Sequence, residues 1–395
     1  MTRTPGDRIF TRDFCLDALI SAFCSLNYFC LLINIVGFAT STFGATSAES
    51  GLAAGIYVIG GLVARLLLGK YIELVGRRRM LMIGIAFALV MSATYFLVSS
   101  LAMLYVVRFL HGMSYGLTST ATGDIVARLV PASRRGEGLG YFYLSITASS
   151  AVGPLLGMSL GATGHYDAVF AVGLAMYSLA LLCALFIRVP EETLTPEQAV
   201  EARGFDLRNL LQLSAIPLAA TCMVFYLSYS GVVSFISSYA EEVDMVTAAT
   251  YLFLAVSAGT FISRLTTGRI FDARGPDVVM FPGFLIFMLG MLVFSRTSSD
   301  ALFLCAGFAM GYGVSIIYSV CQAIVVSRSP PHRYGVTTST FAATVDLGSG
   351  MGPMILGSLI PFTGYRDMYL LCVGIAAVSL VMYVLIRARG GTVRG

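Results

Sequence analysis

The sequence predicts an all-α multi-pass membrane protein with twelve transmembrane helices in two pseudo-symmetric six-helix bundles. Three observations lead there. Of 395 residues, 57% are hydrophobic and only 12% charged, against about 25% charged in a soluble domain, so most of the surface does not face water. The apolar residues come in runs that fit spans of about 20 residues. They are too long for tilted barrel strands of about 10 residues and lack the alternation of such strands. Finally, a charged elbow between two apolar segments, Gly69-Lys-Tyr-Ile-Glu-Leu-Val-Gly-Arg-Arg-Arg79, returns as Gly268-Arg-Ile-Phe-Asp-Ala-Arg-Gly275.

The apolar runs place helices near 14–38, 48–68, 79–99, 101–127, 136–162 and 166–188, and then near 213–239, 246–267, 277–296, 300–326, 335–361 and 366–387. This gives an N-terminal bundle over 1–188, a polar linker over 189–212 and a C-terminal bundle over 213–395. One constant shift of 199 residues aligns the two bundles. It pairs Gly60 with Gly259, Arg65 with Arg264, Gly69 with Gly268, Glu73 with Asp272, Gly76 with Gly275, Arg134 with Arg333, Gly153 with Gly352 and Pro154 with Pro353. Chance similarity between apolar segments would match Leu, Val and Ala, not Arg, Pro and Gly, so the pattern is an internal duplication.

The arginines set the orientation. They cluster before helix 1, between helices 2 and 3 and helices 4 and 5, around the middle loop, after helices 8 and 10 and at the C-terminus, whereas the alternate loops hold only Arg296 and Arg366. The positive-inside rule then predicts a cytoplasmic (inner or plasma) membrane protein with both termini in the cytoplasm. The arginines before the first apolar run look like the start of a signal peptide. The run's length, and the lack of a small-residue cleavage site, point instead to a retained first helix.

Composition also narrows the function. The net charge of +4 comes from basic residues in short loops between spans, which gives no basis for nucleic-acid binding. No Gly-x4-Gly-Lys-Ser/Thr motif is present, which argues against ATP-driven pumping within this chain. The eight cysteines lie in apolar stretches without metal-site spacing and read as small hydrophobes. No cofactor or metal is expected.

With these motifs in place, the chain resembles the major facilitator superfamily and, within it, the twelve-helix drug:proton antiporter branch. Gly69–Arg78 resembles the family's loop 2–3 signature, with Glu73 in place of the usual Asp and Leu74 where a basic residue is common. Arg108-Phe-Leu-His-Gly112-Met-Ser-Tyr-Gly116 resembles the helix 4 signature, whose arginine the resemblance links to proton coupling. Ser149-Ser-Ala-Val-Gly153-Pro-Leu-Leu-Gly157 resembles the helix 5 antiporter signature, with Ser149 replacing its first glycine. The resemblance also implies that the elbow contacts the other half in one state and releases it in another.

The candidate residues follow. Gly69, Glu73, Gly76, Arg77 and Asp124, with Gly268, Asp272 and Gly275, form the expected conformational latch; anchoring of helix ends at the headgroups is the plainer reading. Gly153, Pro154 and Gly157, with Gly352 and Pro353, permit bending and close helix packing. An ionisable residue within a span costs at least about 2.5 kcal/mol on insertion scales, which singles out Asp346, Arg108, His111 and Asp17 as proton-coupling candidates. Arg108 keeps its charge and tunes its neighbours, whereas Asp346 and His111 can carry a proton. Asn27, Asn34, Tyr226 and Tyr229 are substrate-cavity candidates, suited with nearby Phe225 and Phe235 to an amphipathic molecule.

The resulting expectation is a secondary transporter that exports a small organic compound in exchange for protons. It would work as a monomer in the lipid bilayer, with the proton gradient as its energy source. Efflux or proton-coupled uptake of a sugar or other polar metabolite stays open. A non-transporting membrane sensor is the alternative of another class, disfavoured by loops too short to fold into a domain. An enzyme is disfavoured because the acids are scattered.

Overall fold

The computed structural model describes residues 8–69, 71–161, 166–189 and 210–390; of the expected linker, residues 190–209 fall outside this set. The long helices are α1 (Arg12–Phe43), α2 (Ser47–Leu68), α3 (Arg77–Thr94), α4 (Leu101–Leu129), α5 (Arg135–Gly161) and α6 (Asp167–Phe186). The second series is α7 (Ile216–Glu242), α8 (Val246–Arg274), α9 (Asp277–Arg296) and α10 (Asp300–Ser327). A final stretch, Tyr334–Gly390, breaks at Gly364 (φ 68°, ψ 176°), which makes α11 (334–363) and α12 (365–390). Among the described residues, ten stretches are long and apolar enough to cross a membrane, the last of them being the α11–α12 pair. α4 is not among them, because Arg108, Asp124, Arg128 and a run of Ser, Thr and Gly dilute its apolar character.

Local chemistry fixes the helix ends. The Thr11 hydroxyl accepts from the Phe14 amide and opens α1. Thr46 and Glu49 form a reciprocal capping box at the start of α2, and Ser100 caps α4. α1 runs past the expected residue 38 to Phe43 and stops where Gly44 turns left-handed at φ 65°. Within the elbow, Glu73 lies on a separate short helix, Tyr71–Val75.

The chain divides into two compact units. Unit 1 comprises Met1–Pro131, Ser145–Gln212 and Pro330–Thr340; unit 2 comprises Ala132–Leu144, Leu213–Ser329 and Phe341–Gly395. Each thus includes the first turns of a helix from the opposite sequence half. In unit 1, α2 and α3 pack along α4 and α1 packs along α6. Its core includes Ile72, Leu81, Ile85, Ala121, Ile125 and Tyr177. In unit 2, α8 and α9 pack along α10, beside α7.

The polarity is inverted relative to a water-soluble protein. Large apolar side chains such as Leu155, Met354 and Phe362 point outward, while Asp17, Arg108, His111 and Asp124 are buried. A hydrocarbon solvent favours this arrangement. It leaves backbone groups no partner outside the helix, and so requires long uninterrupted helices.

Candidate functional site

In unit 1, the elbow is a buried charge cluster built around Asp124 of α4. Arg77, the first residue of α3, donates from Nε to Asp124 Oδ2 at 2.6 Å, with both side chains withdrawn from solvent. Arg128 lies one turn further along α4, with its Nε 3.4 Å from Asp124 Oδ1. Gly76 holds φ at 95°, a turn open to glycine at little cost, and so lets α3 start directly behind the short helix. Glu73 projects from that short helix, and its Oε1 accepts from the Gly335 amide at 2.7 Å, in the first turn of α11. The first-turn amides have no partner inside the helix and are free to donate to a carboxyl oxygen here. Burial and the nearby Asp124 charge push the Glu73 carboxyl up from the usual range to about 8, and the Gly335 amide and the Arg77 charge oppose that shift.

Unit 2 repeats the device. Asp272, at the end of α8, accepts from the Gly136 and Glu137 amides at 2.8 Å each, in the first turn of α5. Glu137 is clamped by Arg269 at 2.7 Å and Arg134 at 2.5 Å. Gly275 mirrors Gly76 with φ 83°. A Cβ on Gly268 would lie 2.6 Å from the Gly136 carbonyl, and one on Gly69 would lie 2.5 Å from the Ser339 hydroxyl, so both seats depend on close approach.

Deeper in unit 1, Arg108 donates to the Ala53 and Ala54 carbonyls of α2, and its guanidinium lies 4.5 Å from the centre of the Tyr57 ring. His111 is fully buried between two phenols, with Nδ1 3.2 Å from the Tyr95 hydroxyl and Nε2 3.0 Å from the Tyr177 hydroxyl. A neutral imidazole satisfies both, donating to one and accepting from the other. Asp17 is also fully buried, and neither of its carboxyl oxygens has a hydrogen-bond partner among the described residues.

The two asparagines expected to line a cavity both meet a neighbouring helix. Asn34 gives its amide to the Cys30 and Gly157 carbonyls at 2.9 Å each, and so ties α1 to α5. Asn27 is 3% exposed and packs against Gly173 of α6. The reason is geometric: Gly157, about one turn past Pro154, brings the α5 backbone onto α1, and the Asn34 amide fills the polar gap. Gly153 meets Phe29 of α1 in the same contact, and Gly352, beside Pro353, meets Ser230 of α7 in unit 2.

In unit 2, Tyr226 and Tyr229 of α7 are half-buried, with ring centroids 6.0 Å apart. Tyr226 also meets Tyr318 of α10 at 5.8 Å, and Tyr318 meets Tyr143 of α5 at 5.4 Å. The Tyr143 hydroxyl donates to Gln322 Oε1. Arg264 of α8 lies over the Tyr143 ring at 4.7 Å. Asp346 is half-buried on α11.

The repeated carboxylate seats and the duplicated helices correspond to a known family. The model described as Major Facilitator Superfamily matches residues 18–276 and 245–394. The chain belongs to the major facilitator superfamily. Among superfamily relatives, the staphylopine export protein of Staphylococcus aureus is 23% identical over 362 residues, covering 86% of this chain and 87% of the relative. Multidrug resistance protein 3 of Bacillus subtilis is 22% identical over 366 residues, covering 77% and 70%. The human organic anion transporter MFSD10 superposes with a TM-score of 0.78 at 15% identity, covering 96% of this chain and all of that one. The likeness to MFSD10 establishes the superfamily fold.

Within that fold, sequence reasoning missed Glu137, Tyr143, Gln322 and Arg264, as well as the phenols around His111. For Arg264 a signal existed, since the 199-residue shift pairs it with Arg65 inside a span. For the tyrosines none did, because twenty tyrosines in a chain without tryptophan leave interface anchors and interior groups indistinguishable.

Proposed function

We propose that this transporter is a proton-coupled antiporter that exports a small organic or amphipathic compound by alternating access. In this reading it works as a monomer in a plasma membrane, with its arginine-rich loops and termini in the cytoplasm and the proton gradient as its energy source. The observation that carries it is the pair of carboxylate seats in matching register, Glu73 on the first turn of α11 and Asp272 on the first turn of α5. Each seat is a small set of hydrogen bonds that makes or breaks as one, and alternating access needs such two-state contacts. Relatives named for export and for multidrug resistance support the outward direction.

The coupling groups are those buried at membrane depth. Arg108, held on carbonyls, sets a fixed positive field. Asp17, Asp346 and His111 are the groups that take up and release the proton. Loading them changes the relative stability of two facings and so links proton flow to substrate flow. The test uses proteoliposomes with the pH dye pyranine trapped inside and a panel of dyes, sugars and metal-chelating metabolites. At least one amphipathic compound is expected to move against a counterflow of protons. Absence of any gradient-dependent movement across the panel refutes the proposal, and a sugar moving with protons replaces it by uptake of a polar metabolite.

A further inference from the structure

Arg264 on α8 is a half-buried cation whose Nε and Nη1 are shut off from solvent without a hydrogen-bond partner among the described residues. Among the described residues, the titratable groups that act on it are phenols. They are Tyr143, Tyr226 and Tyr318, a run of three rings in which Tyr318 meets both of the others, and no carboxylate is among them. The centre of the Tyr143 ring lies 4.7 Å from the guanidinium carbon. A π face compensates only part of the desolvation of a guanidinium, and the in-plane N–H donors stay unused.

The duplicated register explains why the arginine is left open. Its mate Arg65 in unit 1 donates from Nη2 to the Ser119 hydroxyl of α4 at 3.1 Å. The same shift of 199 residues carries Ser119 to Tyr318. Where one unit supplies a short hydroxyl partner, the other supplies a flat aromatic wall and leaves Nε and Nη1 of the arginine without a partner among the described residues. Tyr226 extends that wall, and Gln322, which accepts from the Tyr143 hydroxyl, adds a polar edge.

We propose that Arg264, with the walls formed by Tyr143, Tyr226 and Tyr318, is the binding site for the carboxylate of a planar aromatic anion. The guanidinium fork matches a carboxylate in two parallel hydrogen bonds, and phenol rings stack against a flat apolar body. A cationic compound is repelled at this site, and a sugar finds too few polar groups. The transport reading bears only on what happens to the bound molecule; binding itself stands apart from it.

The experiment is calorimetric titration of the purified full-length protein in nanodiscs, without a gradient. Three matched probes are used: 1-naphthoate, the neutral 1-naphthamide and the cationic 1-naphthylmethylammonium. Wild type is expected to bind naphthoate about tenfold or more tighter than the amide and to ignore the cation. Arg264→Gln should erase the preference for the anion, Arg264→Lys should keep part of it as a point charge without the fork, and Tyr143→Leu should weaken both aromatic probes. The inference is overturned by no measurable naphthoate binding to wild type, by equal affinity for naphthoate and naphthamide, or by an unchanged preference in Arg264→Gln. If Arg264→Gln does not fold, the wild-type discrimination and the Arg264→Lys titration decide. Arg264-dependent binding by a protein that moves nothing in proteoliposomes defeats the export proposal and leaves this one standing. Proton-driven movement of the panel without such binding does the reverse.

Discussion

Asp124 shows how a charge survives inside this protein. Its two oxygens are divided between Arg77 and Arg128, and its side chain has no solvent exposure. A buried ion pair contributes little net stability against an apolar pair of the same shape, yet removing one partner strands the other at a cost of about 3–5 kcal/mol. Asp124→Asn is therefore expected to lower the thermal midpoint strongly in detergent, because it leaves two arginines facing a neutral amide. Adding Arg77→Met to that variant should recover part of the loss. Midpoints that fall additively in the double variant would show that the two side chains are not coupled. Both members of this pair were visible in the sequence, Arg77 within the repeated elbow and Asp124 as a candidate for the same charge network. The second arginine, Arg128, was not singled out, and only the geometry of α4 brings it onto the same carboxylate.

At the scale of elements, close backbone contact holds the helix pairs. A Cβ on Gly112 of α4 would lie 1.9 Å from the Tyr57 carbonyl of α2, and one on Gly60 would lie 2.1 Å from the Phe109 carbonyl. The α8–α10 pair repeats this at Gly259 and Gly311, both 2.0 Å from a facing carbonyl. Backbone cannot swing aside as a side chain can, so the helices themselves must separate. Gly112→Leu is expected to cost more than the ~1–3 kcal/mol of tolerated over-packing and to depress yield and melting temperature. Gly55→Leu on α2, where nothing lies within 4 Å, should be nearly silent. Equal effects of the two would remove this packing argument. The twelve helices were legible because apolar runs and their polar breaks are one-dimensional signals. Their ends were less so, since the stop at Gly44 and the separate helix around Glu73 depend on local backbone turns. Least legible was the interior. Asn34 reads from the sequence only as a polar residue within a span, and its tie to α5 appears only with the approach of Gly157.

At the scale of the whole molecule, the Glu73 seat makes one conformational contact sensitive to pH. Glu73 lies between the candidate spans rather than within one. Burial, and then the Asp124 charge, raise its carboxyl from 4.5 to about 8 when it sits against Gly335. Released to water it would return toward the ordinary glutamate value of about 4.3. The sign follows from linkage: the seated form binds the proton more tightly, so protonation favours seating. That contribution is complete below about pH 4.3 and is lost as pH rises through about 8. Hydrogen exchange over 334–340, corrected for intrinsic rates, should therefore show protection that is greatest in mild acid and falls through pH 8. Glu73→Gln, which stays neutral, should flatten the profile over the same range. Protection that is level in the wild type, or that rises with pH, would mean the carboxylate seats as an anion and that the proton does not pass through this contact. In that case the pH response of the transporter would rest on Asp17, His111 and Asp346 alone.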